Sequence, residues 1–150
     1  MDAPVLPPAE LYINRELSLL EFNQRVLEQA RDSDIPLLER LRFLCISCTN
    51  LDEFFEVRVA ALKQRVEIGA PAAGPDKMTP QRLLDEIRHR AVNLVRDQYE
   101  VLNTSIFPEL TAEQIRFPQR AEWSEAKKRW LDHYFRDEIL PVLTPITLDP

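Results

Sequence analysis

One repeat limits the architecture more than any other feature of this chain. Leu84, Ile87, Ala91, Leu94, Gln98 and Val101 recur at spacings of three and four, the period of one face of an α-helix. Thr79 and Pro80 open the segment as N-cap and first-turn proline, where a missing N–H leaves nothing unpaired. The pattern can run to Ile106, and Pro108 is expected to stop it. A helix over that span is about 40 Å long. No short element can cover so long an apolar face, so it needs long helices on both sides. The chain therefore reads as mainly α, an antiparallel up-and-down helical bundle. Composition agrees: only 2 of the 150 residues are Gly, and the 12 Pro fall between helical patterns or in the N-terminal stretch.

The first neighbour lies in LYINRELSLLEFNQRVLEQARD. Ser18 and Glu21 have the spacing of a capping box, and Leu17 and Phe22 that of a hydrophobic staple. Leu19, Phe22, Val26 and Ala30 form the expected stripe, widened by Leu20 and Leu27. The predicted helix spans about Leu19 to Arg31. Asp32 to Asp34 break it, and Pro36 suits the first turn of the next.

The second neighbour is LLERLRFLCISCTNLDEFFEVRVAALKQR, Leu37 to Arg65. Leu37, Leu38, Leu41, Leu44, Cys45 and Cys48 predict one helical face. A polar break is expected from Ser47 to Asn50, and Leu51, Phe54, Phe55, Leu62 and Val66 predict a second helix beyond it. Asn50 and Glu53 have capping-box spacing. Phe43 lies about 200° around the helix from Leu41, away from the main stripe. If the helical phase carries through the break, Phe43 and Asn50 share a side, two turns apart. A ring and an amide there suit a planar, hydrogen-bonding ligand such as a nucleobase, and equally a second packing surface. The second helix is expected to end near Ile68, with Gly69 past its C-terminus and a loop to Met78.

After Pro108 the pattern changes. Ile115 and Phe117 alternate as in a short strand over Glu113 to Phe117. Trp123, Ala126, Trp130, Tyr134 and Ile139 give an aromatic helical stripe that Pro141 ends. VLTPITLDP reads as extended. The expected divisions are a disordered tail at 1–10, a helical domain at 11–107, and at 108–150 the beginning of an α+β domain. With no room left to complete a sheet, the chain is expected to be part of a longer protein.

A net charge of −6 argues against nonspecific nucleic-acid binding, which needs a basic surface. No apolar run reaches the roughly 18 residues that span a bilayer, and the acidic, proline-rich start does not fit a secretory signal. Two Cys make no disulfide framework, and a reducing, cytoplasmic setting is expected.

Several residues invite chemistry. Asp52, Glu53 and Glu56 could hold a cation, but acids in a first helical turn also complement the helix dipole. Cys45 and Cys48 form a C-x-x-C expected on the apolar face, where Cys acts as a small hydrophobe. His89 and His133 lack a nucleophile arrangement. Arg58, Lys63 and Arg65 could face a polyanion, or solvent. Asn50 could be a helix cap or a ligand residue, and Phe43 a packing residue or a stacking surface.

Three blocks, YINRELSLLEFNQRVLEQA, PLLERLRFLCISCTNLDEFFEVRVAALK and DEILPVLTPITLDP, resemble the N-terminal part of the polyphosphate kinase family. They stand in the family's order over nearly all of residues 12–150, and the NLDEFF block is specific to it. The resemblance implies a kinase that reversibly moves the γ-phosphate of ATP onto polyphosphate through a phosphohistidine. It implies a helical N-terminal domain that covers the adenine, followed by the start of a head domain. Asn50 matches the family's ATP-binding position, and Phe43 matches a position against the adenine ring. No catalytic residue and no metal ligand is implied within these residues. The phosphorylated histidine and the arginines associated with Mg2+ are expected beyond residue 150, so neither His89 nor His133 takes that role. ATP or ADP and inorganic polyphosphate are the implied substrates, and the parent is expected to be a cytoplasmic homo-oligomer, including at the membrane periphery. Leu19 departs from the family pattern, where Trp is common, and Cys48 and Thr49 replace small polar residues. The competing reading is a helical dimerisation or protein-interaction module in which Phe43 anchors an interface.

Overall fold

The computed structural model describes residues 11–72 and 74–144. The expected N-terminal tail and the end of the expected extended segment lie outside these residues. The chain divides into two compact units, one ending at Ile115 and the other opening at Arg116.

The first unit is built from three long helical rods. Helix α1, Arg15–Arg31, is the first. Helix α2, Leu37–Glu53, a π-helical turn Phe54–Val59, and α3, Ala60–Glu67, form the second. Helix α4, Pro80–Val101, a π-helical turn Leu102–Ile106, and α5, Phe107–Ala112, form the third. Cross-rod hydrogen bonds fix the directions. Asn23 meets Ser47 while Ala30 meets Arg40, so the first two rods are antiparallel. Gln98 meets Ser47 while Ser105 and Glu109 meet Arg40, so the second and third are antiparallel too. This is the up-and-down bundle that the repeat of α4 required.

That repeat is buried almost as read. Ile87, Ala91, Leu94, Gln98 and Val101 are buried, with Leu83 in place of the half-buried Leu84. Thr79 Oγ1 accepts from the Arg82 N–H, and Pro80 occupies the first turn. Leu27, Ala30, Leu44, Leu51, Phe54, Val59 and Leu62 close the core from the other rods, with Ile106 and Leu110 beyond α4.

Four expectations are corrected. First, α1 begins earlier than the Ser18 box implied. The Asn14 side chain caps it, accepting from the N–H groups of Glu16 and Leu17. Its buried face is Leu17, Leu20, Asn23, Leu27 and Ala30, which leaves Leu19 and Phe22 exposed. The Asn14 carboxamide supplied a cap one turn upstream of the Ser, which moved the start without changing the helix.

Second, no break separates Ser47 from Asn50. Ser47 and Asn50, at the two ends of that polar stretch, are instead bonded to neighbouring rods, and α2 continues through them. Asn50 is interior, its C=O accepting from the Phe54 N–H. A capping box needs free N–H groups at a helix start, and here there is none.

Third, Pro108 does not stop the third rod. It lies in the first turn of α5, directly after the π-helical turn. A wider turn relieves the clash of a proline ring with the preceding turn. Fourth, Glu113 to Phe117 is not a strand. Gln114 takes φ +64°, its N–H donates to Thr111 O, and Ile115 N–H donates to Leu110 O. These two bonds close the helix C-terminus with a left-handed residue. Gly69, at φ +64°, ends α3 in the same way, as expected; Gln114 lacks the glycine that would have announced it.

The second unit contains a 3-10 turn, Arg120–Glu122, then α6, Glu125–Tyr134, capped by Ser124. A π-helical turn, Phe135–Ile139, and a 3-10 turn, Leu140–Val142, follow. The Trp130 and Tyr134 rings stack at 5.3 Å. None of its described residues is buried.

Candidate functional site

A groove of about 250 Å³ runs between α1 and the second rod. Leu19, Phe22 and Asn23 line it from one side, Asn50, Glu53, Phe54, Val57 and Arg58 from the other. The phase of α1 explains the first wall. With Leu20 and Leu27 turned to the core, Leu19 and Phe22 are left at the rim, and Phe22 is 52% exposed. The Arg25 guanidinium lies 5.9 Å from the Phe22 ring, close enough for a cation–π contact. The π-helical turn explains the second wall. It buries Phe54 and leaves Val57 at the lip with half-buried Arg58. Such turns inside α-helices are frequent at functional sites. The volume falls below the roughly 300–1,000 Å³ of enclosed small-molecule sites.

Asn50 joins the groove to the bundle interior. Its Nδ2 donates to Asn23 Oδ1 at 3.4 Å. Asn23, 3% exposed, donates from its own Nδ2 to the Ser47 carbonyl at 2.8 Å. Fully buried Ser47 accepts on Oγ from Gln98 Nε2 at 2.9 Å. One polar path thus crosses all three rods and surfaces at Asn50.

A second polar cluster is closed. Arg40, 4% exposed, donates from Nε to Ala30 O at 3.0 Å, from Nη1 to Glu109 Oε2 at 2.6 Å and from Nη2 to Ser105 Oγ at 2.5 Å. Ser105 Oγ also donates to Glu109 Oε1 at 2.7 Å. The Ser105 hydroxyl, and then Arg40, hold the Glu109 carboxyl below the usual carboxylate range. No buried side-chain N or O among the described residues is left without a partner.

The other candidates are distributed as follows. Because α2 is continuous, the helical phase holds, and Phe43 and Asn50 lie on one side about 10 Å apart along the axis. Phe43 is half-buried against the core and is not among the groove residues. Cys45 and Cys48 are exposed, not on the apolar face; Arg40, Leu44, Ser47 and Leu51 take that face. Partial burial, then the neighbouring Cys45 and Asp52, push the Cys48 thiol up. Asp52, Glu53 and Glu56 assemble no metal-holding cluster, and none of three or more His, Cys, Asp or Glu occurs among the described residues. Arg65 donates to Pro71 O, and His133 Nε2 meets Asp137 Oδ2 at 3.0 Å on the surface of α6. No helix among the described residues is long and apolar enough to cross a membrane.

Sequence reasoning missed Asn23 and Arg40. Both sit at core spacing, Asn23 between Leu20 and Leu27 and Arg40 four before Leu44, so a polar residue at a stripe position was the available signal.

Fold and groove together define a helical domain with an apolar-lipped groove beside Asn50. Residues 12–118 match the sequence model of the polyphosphate kinase N-terminal domain. A polyphosphate kinase from Xylella fastidiosa is 54% identical over 140 residues, which is 93% of this chain and 20% of that protein. One from Pseudomonas syringae pv. tomato is 51% identical over 148 residues, 99% of this chain and 20% of the relative. The crystal structure of polyphosphate kinase from Porphyromonas gingivalis superposes with a TM-score of 0.70 at 30% identity, covering 87% of this chain and 18% of that one. The chain belongs to the polyphosphate kinase family and spans about one fifth of the length of these relatives.

Proposed function

We propose that this chain is the nucleotide-covering N-terminal part of an enzyme that reversibly transfers the ATP γ-phosphate to polyphosphate through a phosphohistidine outside these residues. The observation that supports the reading is Asn50, which lines an apolar-lipped groove between α1 and the second rod. Asn50 binds the base from the groove, and Phe43 contacts the nucleotide from farther along the same side of α2. Phosphoryl transfer depends on positioning and electrostatics more than on covalent help from the protein. A bundle laid over the base contributes positioning and excludes water. On this reading Mg2+ is held elsewhere in the parent, a cytoplasmic oligomer. The fragment alone has no kinase activity and binds ATP weakly.

The test is Asn50→Ala in the full-length enzyme. The KM for ATP is expected to rise roughly 10-fold, the effect of losing a hydrogen bond to a bound ligand, with the melting curve nearly unmoved. Unaltered nucleotide kinetics overturn the reading.

A further inference from the structure

We infer that Asn23 is a positioning residue: it sets which end of the Asn50 amide the groove presents, leaving an acceptor to meet a base that carries an exocyclic amine. The inference rests on the nucleotide-covering reading and deepens it. The Ser47 carbonyl can only accept a hydrogen bond, so the Asn23 group 2.8 Å from it is the NH2. The Asn23 side chain is buried and cannot turn over without losing that bond. Its Oδ1 is therefore fixed as an acceptor, and the Asn50 atom facing it at 3.4 Å is Nδ2. Asn50 is thus oriented in turn. Its Oδ1 takes no bond from any described residue, and Asn50 lines the groove. A donor on the ligand satisfies that oxygen. A carbonyl there opposes it, acceptor against acceptor.

Adenine carries an amine at position 6 with an acceptor nitrogen beside it. Hypoxanthine carries a 6-oxo group beside an N–H, which reverses that edge. Opposing acceptors leave both groups unpaired, the situation that hydrogen-bonding sites reject most strongly. The same groups leave discrimination to the chemistry of the base edge, with the ribose and phosphates unchanged between the two nucleotides.

The experiment measures kcat/KM for ATP and inosine triphosphate in the full-length enzyme. The unaltered enzyme is expected to favour ATP by roughly 10-fold or more, chiefly through KM. In Asn23→Ala the Asn50 amide is free to turn over, and the preference falls toward one. Melting of that variant is measured alongside, and two variants at position 50 hold the test if it does not fold. Asn50→Asp keeps the acceptor and retains the preference for ATP; Asn50→Ala abolishes it. A folded Asn23→Ala enzyme with an undiminished preference overturns the inference, as does Asn50→Asp losing the preference as fully as Asn50→Ala. If Asn50→Ala impairs both nucleotides equally, the polarity argument fails and the nucleotide-covering reading stands. If it impairs neither, both fail.

Discussion

The Arg40 cluster and the Asn50 path are both polar, both cross the bundle, and differ in one respect. Every donor that Arg40 directs inward ends on a protein acceptor: Ala30 O, Ser105 Oγ or Glu109. The Asn50 path begins equally well satisfied, at Ser47, Gln98 and Asn23, but reaches the groove with an amide oxygen left over. The closed cluster directs its buried Arg40 donors to protein acceptors, so its contribution is to stability. An open one can offer a bond to a ligand at little structural expense. The contrast separates a buried polar group that fastens rods from a half-buried one with an acceptor that no described residue fills.

The largest stability loss is expected at the closed cluster. Arg40→Met removes three bonds and strands their acceptors, and should lower stability by about 2–4 kcal/mol, below the full value for a buried pair because Glu109 is half-exposed. Urea unfolding checks it, through a lower midpoint at an unchanged slope. Gln98→Leu comes next: Ser47 Oγ loses its buried donor, a loss of about 1–3 kcal/mol. Glu109→Gln tests the same cluster by pH. The folded carboxyl titrates below its ordinary value, so its contribution is present above the unfolded pKa of about 4.3. It is lost as pH falls through the folded value. The gap in stability between native protein and variant should close under acid, and a gap that persists there removes the Arg40–Ser105–Glu109 account. Asn50→Ala should change stability by less than about 1 kcal/mol, since a long hydrogen bond is lost while Ala is the better helix former. A loss matching that of Arg40→Met would break the contrast between closed and open. Least consequential for the fold is alkylation of exposed Cys48. With its thiol pushed up, the reaction should need higher pH than free cysteine, as mass spectrometry of labelled peptides can show, while helicity stays constant.

The two aromatic-bearing helices show how far periodicity carries. The repeat in α4 predicted both a helix and a buried face, and both are present. The stripe in α6 predicted a helix equally well, yet Trp130 is 61% exposed and Tyr134 44%. Spacing along one chain determines which side chains share a side. Burial requires a second surface, and for α4 the matching lengths of the other rods supplied it.

Within the site, the residues legible in advance were those whose meaning is local. Thr79, Pro80 and Gly69 act within one turn of their own backbone and were read correctly. The one-sided placement of Phe43 and Asn50 followed from spacing once α2 proved unbroken. Asn23 and Arg40 were illegible because their bonds go to other rods; Ser47 and Asn50 were misread as a break for the same reason.

The sequence by itself determined the helical period, the locally capped helix ends such as Thr79–Pro80 and Gly69, and the family. Each is encoded in neighbours a few residues apart or in motifs such as NLDEFF. Only the tertiary structure decided that Ser47 and Asn50 would bond to other rods instead of ending a helix, and that Asn50 would line a groove with an acceptor that no described residue fills. A polar side chain carries no mark of the distant partner that satisfies it, and the low-dielectric interior makes that partner decisive.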